Sequence, residues 1–168
     1  MNNWMLITRF LLTRLAIYLA AVAVAYLLAS ITATQAVVSS LSGMGIDLDF
    51  SERIAMTLSD IAGMAGMFAP MIAFGLLIAF MATALICRYW RRWRTPLYVI
   101  AGATAVVCIH LALNLAFGIT PIAIARTPPG LVLQAIAGAA GGFTFVYLSN
   151  SFSGNSPKMA SNTPVENI

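Results

Sequence analysis

Four long apolar stretches divide this chain, and the short link between the second and third carries four arginines, Arg88, Arg91, Arg92 and Arg94. That pattern decides the solvent before anything else. A hydrocarbon core of about 30 Å needs roughly 20 mainly apolar residues per crossing helix. The stretches reach about that length at residues 15–31, 61–87, 96–117 and 131–148, with Phe10 the earliest start of the first. Backbone N–H and C=O groups find no water in lipid, so each stretch is expected to be a helix. Of 168 residues, 61% are hydrophobic and 8% charged, whereas a soluble domain carries roughly a quarter charged residues. The chain therefore reads as an all-α, polytopic transmembrane four-helix bundle. Its expected parts are an N-terminal segment 1–14, a bundle 15–148 and a polar, disordered tail 149–168.

Orientation follows from the cations. Arg9 and Arg14 precede the first span, the four clustered arginines link spans two and three, and Lys158 lies in the tail. The other side carries Arg53 and Arg126 together with Asp47, Asp49, Glu52 and Asp60. The positive-inside rule then puts both termini and the arginine link in the cytoplasm. Trp4, Tyr89, Trp90, Trp93 and Tyr98 form an interfacial aromatic belt on that side. The net charge of +4 is assigned to anionic lipid headgroups, met by Arg88, Arg91, Arg92 and Arg94, and no nucleic-acid partner is expected. The first apolar run exceeds the usual signal-peptide core of about 7–15 residues and no small-x-small cleavage site follows it, so it reads as a retained span.

Two outer links are expected. In 35–60, Ser39, Ser40, Ser42, Gly43 and Gly45 read as a flexible turn. Asp49-Phe-Ser-Glu52 then reads as a capping box, and Phe50, Ile54, Leu58 and Ile61 recur at helical spacing. These residues predict a short amphipathic helix on the outer surface, ahead of span two. A calcium site from Asp47, Asp49 and Glu52 falls short of the six to eight oxygens calcium takes. In 118–130, Pro121, Pro128 and Pro129 argue against regular helix.

Chemistry-bearing side chains are few. His110 is the single histidine, with Asn114 one turn on. Gln134 in span four lies at about the depth of Asn114 and is expected to pair with it across the helix interface. Such polar groups either join helices or bind something. Haem on His110 lacks a second axial histidine in one chain, and Met, Cys or a second copy would have to supply it. Met64, Met67 and Met71 fall on one face of span two and, with Cys108 or His110, are candidate soft-metal ligands, although methionine is also ordinary packing material. Cys87 and Cys108 form no C-x-x-C. Gly138 and Gly142 make a GxxxG pair in span four, and Gly63 and Gly66 open span two; small residues of this kind let helices approach closely, either at a subunit interface through spans two and four or within one bundle.

Phosphate-loop, nucleophile-elbow and zinc-protease motifs are absent from the sequence. The leading expectation is a non-enzymatic membrane subunit or small-ligand or lipid-binding bundle, self-associating or serving a larger complex. A small transporter with a polar path at His110, Asn114 and Gln134 is the second reading, and a haem- or metal-binding redox protein the third. The small size and arginine-rich link suggest a bacterial inner membrane.

Overall fold

A computed structural model describes residues 3–117 and 127–153. Four helices account for nearly all of them: α1 (Asn3–Gly43), α2 (Phe50–Cys87), α3 (Arg94–Phe117) and α4 (Pro128–Ser153), with a single 3-10 turn at Arg91–Trp93. Each of the four contains a stretch long and apolar enough to cross a membrane. The protein is an integral membrane four-helix bundle. Its helices run up and down, α2 and α4 each packing between α1 and α3.

The helices outrun the apolar stretches that reveal them. At 1.5 Å per residue the 41 residues of α1 span about 60 Å, twice the hydrocarbon thickness. Residues from Asn3 onward are helical and continuous with the first span, and Ser39, Ser40 and Ser42 are helical rather than turn. The turn itself is Met44–Asp49. It opens on a Schellman motif: Ile46 N–H donates to the Leu41 carbonyl at 3.1 Å and Gly45 N–H to that of Ser42 at 3.0 Å. Gly45 has φ +81°, the left-handed backbone for which glycine is suited.

The expected amphipathic surface helix is the first part of α2, which continues unbroken into the bilayer through Pro70. Its start is the capping box, with the Glu52 carboxylate accepting the Asp49 N–H at 2.9 Å. The Ser51 hydroxyl donates to Asp49 Oδ2 at 2.9 Å. That bond, helped by the backbone N–H groups of Phe50 and Ser51, holds the Asp49 carboxyl below the ordinary aspartate range.

Pro128 and Pro129 do not interrupt a helix; they begin one. A proline in the first turn loses no intrahelical bond, because those N–H groups have no partner there. Thr127 precedes them, its Oγ1 accepting the Gly130 N–H at 3.3 Å. At the other end α4 continues to Ser153, so Ser149–Ser153 belong to the bundle. Pro121, in the second outer link, and residues 154–168 of the expected tail lie outside the described residues.

The core mixes large and very small side chains. Ile72 and Leu76 of α2 and Val106 of α3 are fully enclosed, as are Ala21, Ala25 and Ala29, one turn apart along α1. The alanine row faces Gly141 of α4, and a Cβ there would press on Ala25. Between α3 and α4 the approach is tighter. A Cβ on Gly102, Gly138 or Gly142 would collide with a facing backbone carbonyl, Gly102 against Gly138 and Gly142 against Tyr98. The GxxxG pair is thus used inside one bundle. Near the arginine-rich end Phe80, Tyr98 and Phe145 form an aromatic knot across α2, α3 and α4, with centroids 4.7–5.4 Å apart.

Candidate functional site

The polar centre of the bundle is built by three helices. α3 contributes His110, α4 Gln134, and α1 the Ala29 carbonyl and Thr32. His110 is 2% exposed and Gln134 fully enclosed. The Gln134 amide nitrogen donates to the Ala29 carbonyl at 3.0 Å and to Thr32 Oγ1 at 3.2 Å. That assignment turns Gln134 Oε1 toward His110 Nε2, 3.4 Å away. The oxygen only accepts, so the proton of a neutral imidazole sits on Nε2 and Nδ1 carries the lone pair. Nδ1 has no hydrogen-bond partner among the described residues, and neither does the buried Ser30 hydroxyl. The Phe68 ring packs against the imidazole with centroids 5.8 Å apart.

Gln134 thus meets His110, one turn deeper than the expected partner Asn114, which is exposed. The reason is the helix start. Depth reckoned from a span beginning at 131 misses the extra turn that Pro128 and Pro129 add to α4.

The arrangement holds helices together. One side chain, Gln134, ties α4 to α1 through two bonds and to α3 through a third, and in the bilayer such bonds are worth about 0.6 kcal/mol each. Further ties join α1 to α2: the Tyr18 hydroxyl donates to the Ala73 carbonyl, the Tyr26 hydroxyl to that of Ile61, the Thr34 hydroxyl to the Asp60 carboxylate at 2.9 Å, and the Gln35 amide to the Thr57 hydroxyl at 3.5 Å. Tyr18 and Tyr26 are two turns apart and share a face, a spacing visible in the sequence that hydropathy alone does not single out.

The other candidate residues are scattered. Met67 is 64% exposed, while Met64 packs on the core and Met71 borders a shallow outer groove with Phe74 and Ile109. Cys87 is buried and Cys108 exposed. Among the described residues no three His, Cys, Asp or Glu side chains gather as a metal-binding group. A haem plane at His110 would have to displace Phe68 and Gln134 from the imidazole. Gly63 and Gly66 face open space, with no atom within 4 Å of a Cβ built on either. Arg88, Arg91 and Arg92 are exposed and Arg94 is half-buried.

One surface feature stands apart. A groove of about 520 Å³ runs between α2 and α3, open to the outside and bordered chiefly by small residues such as Gly75, Ala82, Ala101, Thr104 and Cys108. Sequence reading did not find it, because it depends on which faces of α2 and α3 meet. Comparison with protein-family models, curated proteins and solved structures found no match to this chain.

Proposed function

We propose that this protein is a non-enzymatic membrane subunit, resident in a bacterial inner membrane with both termini in the cytoplasm, that associates with a second copy of itself through the α2–α3 face. The observation that carries this reading is the groove between α2 and α3, floored by small residues and almost without polar atoms. Lipid tails are as apolar as leucine, so helices associate in membranes through close packing at small residues rather than through hydrophobicity. The same chain closes its α3–α4 seam by that means, glycine against glycine. The α2–α3 seam offers a comparable floor, and among the described residues no helix is laid into it. A helix ridge from a second copy fits such a groove.

The internal polar groups support the non-enzymatic part of the reading. His110 and Gln134 are enclosed and engaged with neighbouring helices, and the carboxylates Asp47, Asp49, Glu52 and Asp60 lie in the α1–α2 turn or the first part of α2, far along α1 and α2 from the arginine link. A reaction centre would need groups converging on an accessible point.

Native mass spectrometry in mild detergent tests the proposal. The wild-type chain is expected as a dimer or larger. Ala82→Leu, which fills the groove from an exposed position, is expected to leave a folded monomer. A wild-type chain monomeric at all concentrations, or an oligomer indifferent to Ala82→Leu, would contradict it.

A further inference from the structure

At the arginine-rich end two cations meet over one hydroxyl. Arg14 of α1 donates from Nη1 to Ser149 Oγ at 2.5 Å, and Arg94 of α3 donates from Nη2 to the same oxygen at 2.8 Å. Arg94 also donates from Nη1 to Asn150 Oδ1 at 2.8 Å. The two donor nitrogens therefore lie within about 5 Å of each other, where like charges repel. Ser149 is only 1% exposed, and both arginines are half-buried, so water screens them incompletely.

Both side chains are held in place. The Arg14 guanidinium lies 5.1 Å from the centre of the Phe10 ring and that of Arg94 6.0 Å from Tyr98. The convergence is tertiary: Arg14 and Arg94 approach α4 from its two neighbouring helices. The bland account is that the arginines cap the C-terminal end of α4, where a helix favours cations. One cation suffices for that, and a helix end carries only about half an elementary charge. Asp47, Asp49, Glu52 and Asp60, the carboxylates among the described residues, lie at the opposite end of the bundle. Among the described residues, what the two positive charges meet there is a hydroxyl, an amide oxygen and a helix end.

We propose that Arg14, Arg94 and Ser149 form a discrete site for a phosphate-type oxyanion at the membrane surface. Guanidinium forks match phosphate oxygens two at a time, and most of the five N–H donors on each fork are not engaged with Ser149 or Asn150. A lipid headgroup and free phosphate share this chemistry. The exposed Arg88, Arg91 and Arg92 lack such convergence and attract anionic lipid only through diffuse charge. This site is independent of the α2–α3 groove, and neither proposal needs the other.

The test is native mass spectrometry of the full chain in mild detergent, titrated with dioleoyl phosphatidic acid, dioleoyl phosphatidylglycerol or dioleoyl phosphatidylcholine. One anionic lipid per chain is expected to be retained. Arg14→Gln and Arg94→Gln should each weaken it about tenfold, the loss of one charge-assisted bond. Arg94→Lys keeps the charge without the fork and should weaken it about threefold, and Arg91→Gln less than twofold. Circular dichroism of each variant separates lost binding from lost fold. On the wild-type protein, which needs no substitution, inorganic phosphate is the second probe. Displacement of the lipid at millimolar phosphate assigns the site to free phosphate, and resistance to it assigns the site to the lipid headgroup; both support an oxyanion site. Two results overturn it: Arg91→Gln as damaging as Arg94→Gln, or undiminished retention in the Arg14→Gln/Arg94→Gln double variant.

Discussion

The α3–α4 and α2–α3 seams share a helix and differ in how closely their partners approach. Along α3–α4, Gly102, Gly138 and Gly142 bring backbone against backbone until no Cβ fits. Along α2–α3, small residues leave a groove of about 520 Å³. The lesson is that small residues permit close approach without causing it. What closes the first seam is register: Gly138 falls opposite Gly102, and Gly142 opposite Tyr98. At the second, Gly75 meets the Ile109 side chain rather than backbone, and the helices stand off.

Substitutions that enlarge side chains separate the two seams most sharply. Gly138→Leu drives a side chain into the Gly102 carbonyl, and because backbone cannot move aside as a side chain does, a loss of about 3 kcal/mol or more is expected. Thermal unfolding in detergent reads it. A Gly138→Leu protein as stable as wild type would mean that the α3–α4 seam is not closed in the way described.

Loss of the polar tie comes next. Gln134→Leu removes three contacts and leaves the His110 ring without its partner, while the Thr32 hydroxyl still donates to the Leu28 and Ala29 carbonyls, at an expected cost of about 1–2 kcal/mol in the same thermal unfolding.

The open surface of α2 should respond in the other sense. Gly66→Ala adds a methyl into free space and removes backbone freedom from the unfolded chain, so stability should rise by up to about 1 kcal/mol. A clear loss would show that something packs against Gly66.

The smallest effect is local and depends on pH. The folded-state pKa of Asp49 lies below its unfolded value. Its contribution is therefore complete above the ordinary aspartate range and is lost as pH falls through the depressed value. Amide exchange at the start of α2, corrected for intrinsic rates, should then quicken at acid pH while α3 and α4 stay protected. Asp49→Asn should flatten that dependence.

How much of this was legible in the sequence differs by element. The four spans were, because hydropathy measures what the bilayer requires. Their ends were not, because a helix continues past the hydrocarbon wherever its backbone can pair, as α1 does to Gly43. Asp49 and Glu52 announced a helix start, but no local signal showed that this helix runs on into span two, as α2 does without a break from Phe50 to Cys87. Pro128 and Pro129 were read as breakers when they were initiators; Thr127 just before them was the missed signal. Nothing local could join Arg14 to Ser149, 135 residues apart, or show that Ser149 belonged to a helix instead of the polar tail.

The central claim is that α3–α4 is closed within the chain and α2–α3 is where a second copy sits. Cys108 tests it directly, being exposed and on the border of the groove. A short bifunctional maleimide, applied in native membranes, should link copies through Cys108. It should not link copies through a cysteine placed at the exposed Val132 of α4 in a Cys108→Ser background. Crosslinking through position 132 with none through Cys108 would contradict the account and put the contact on α4.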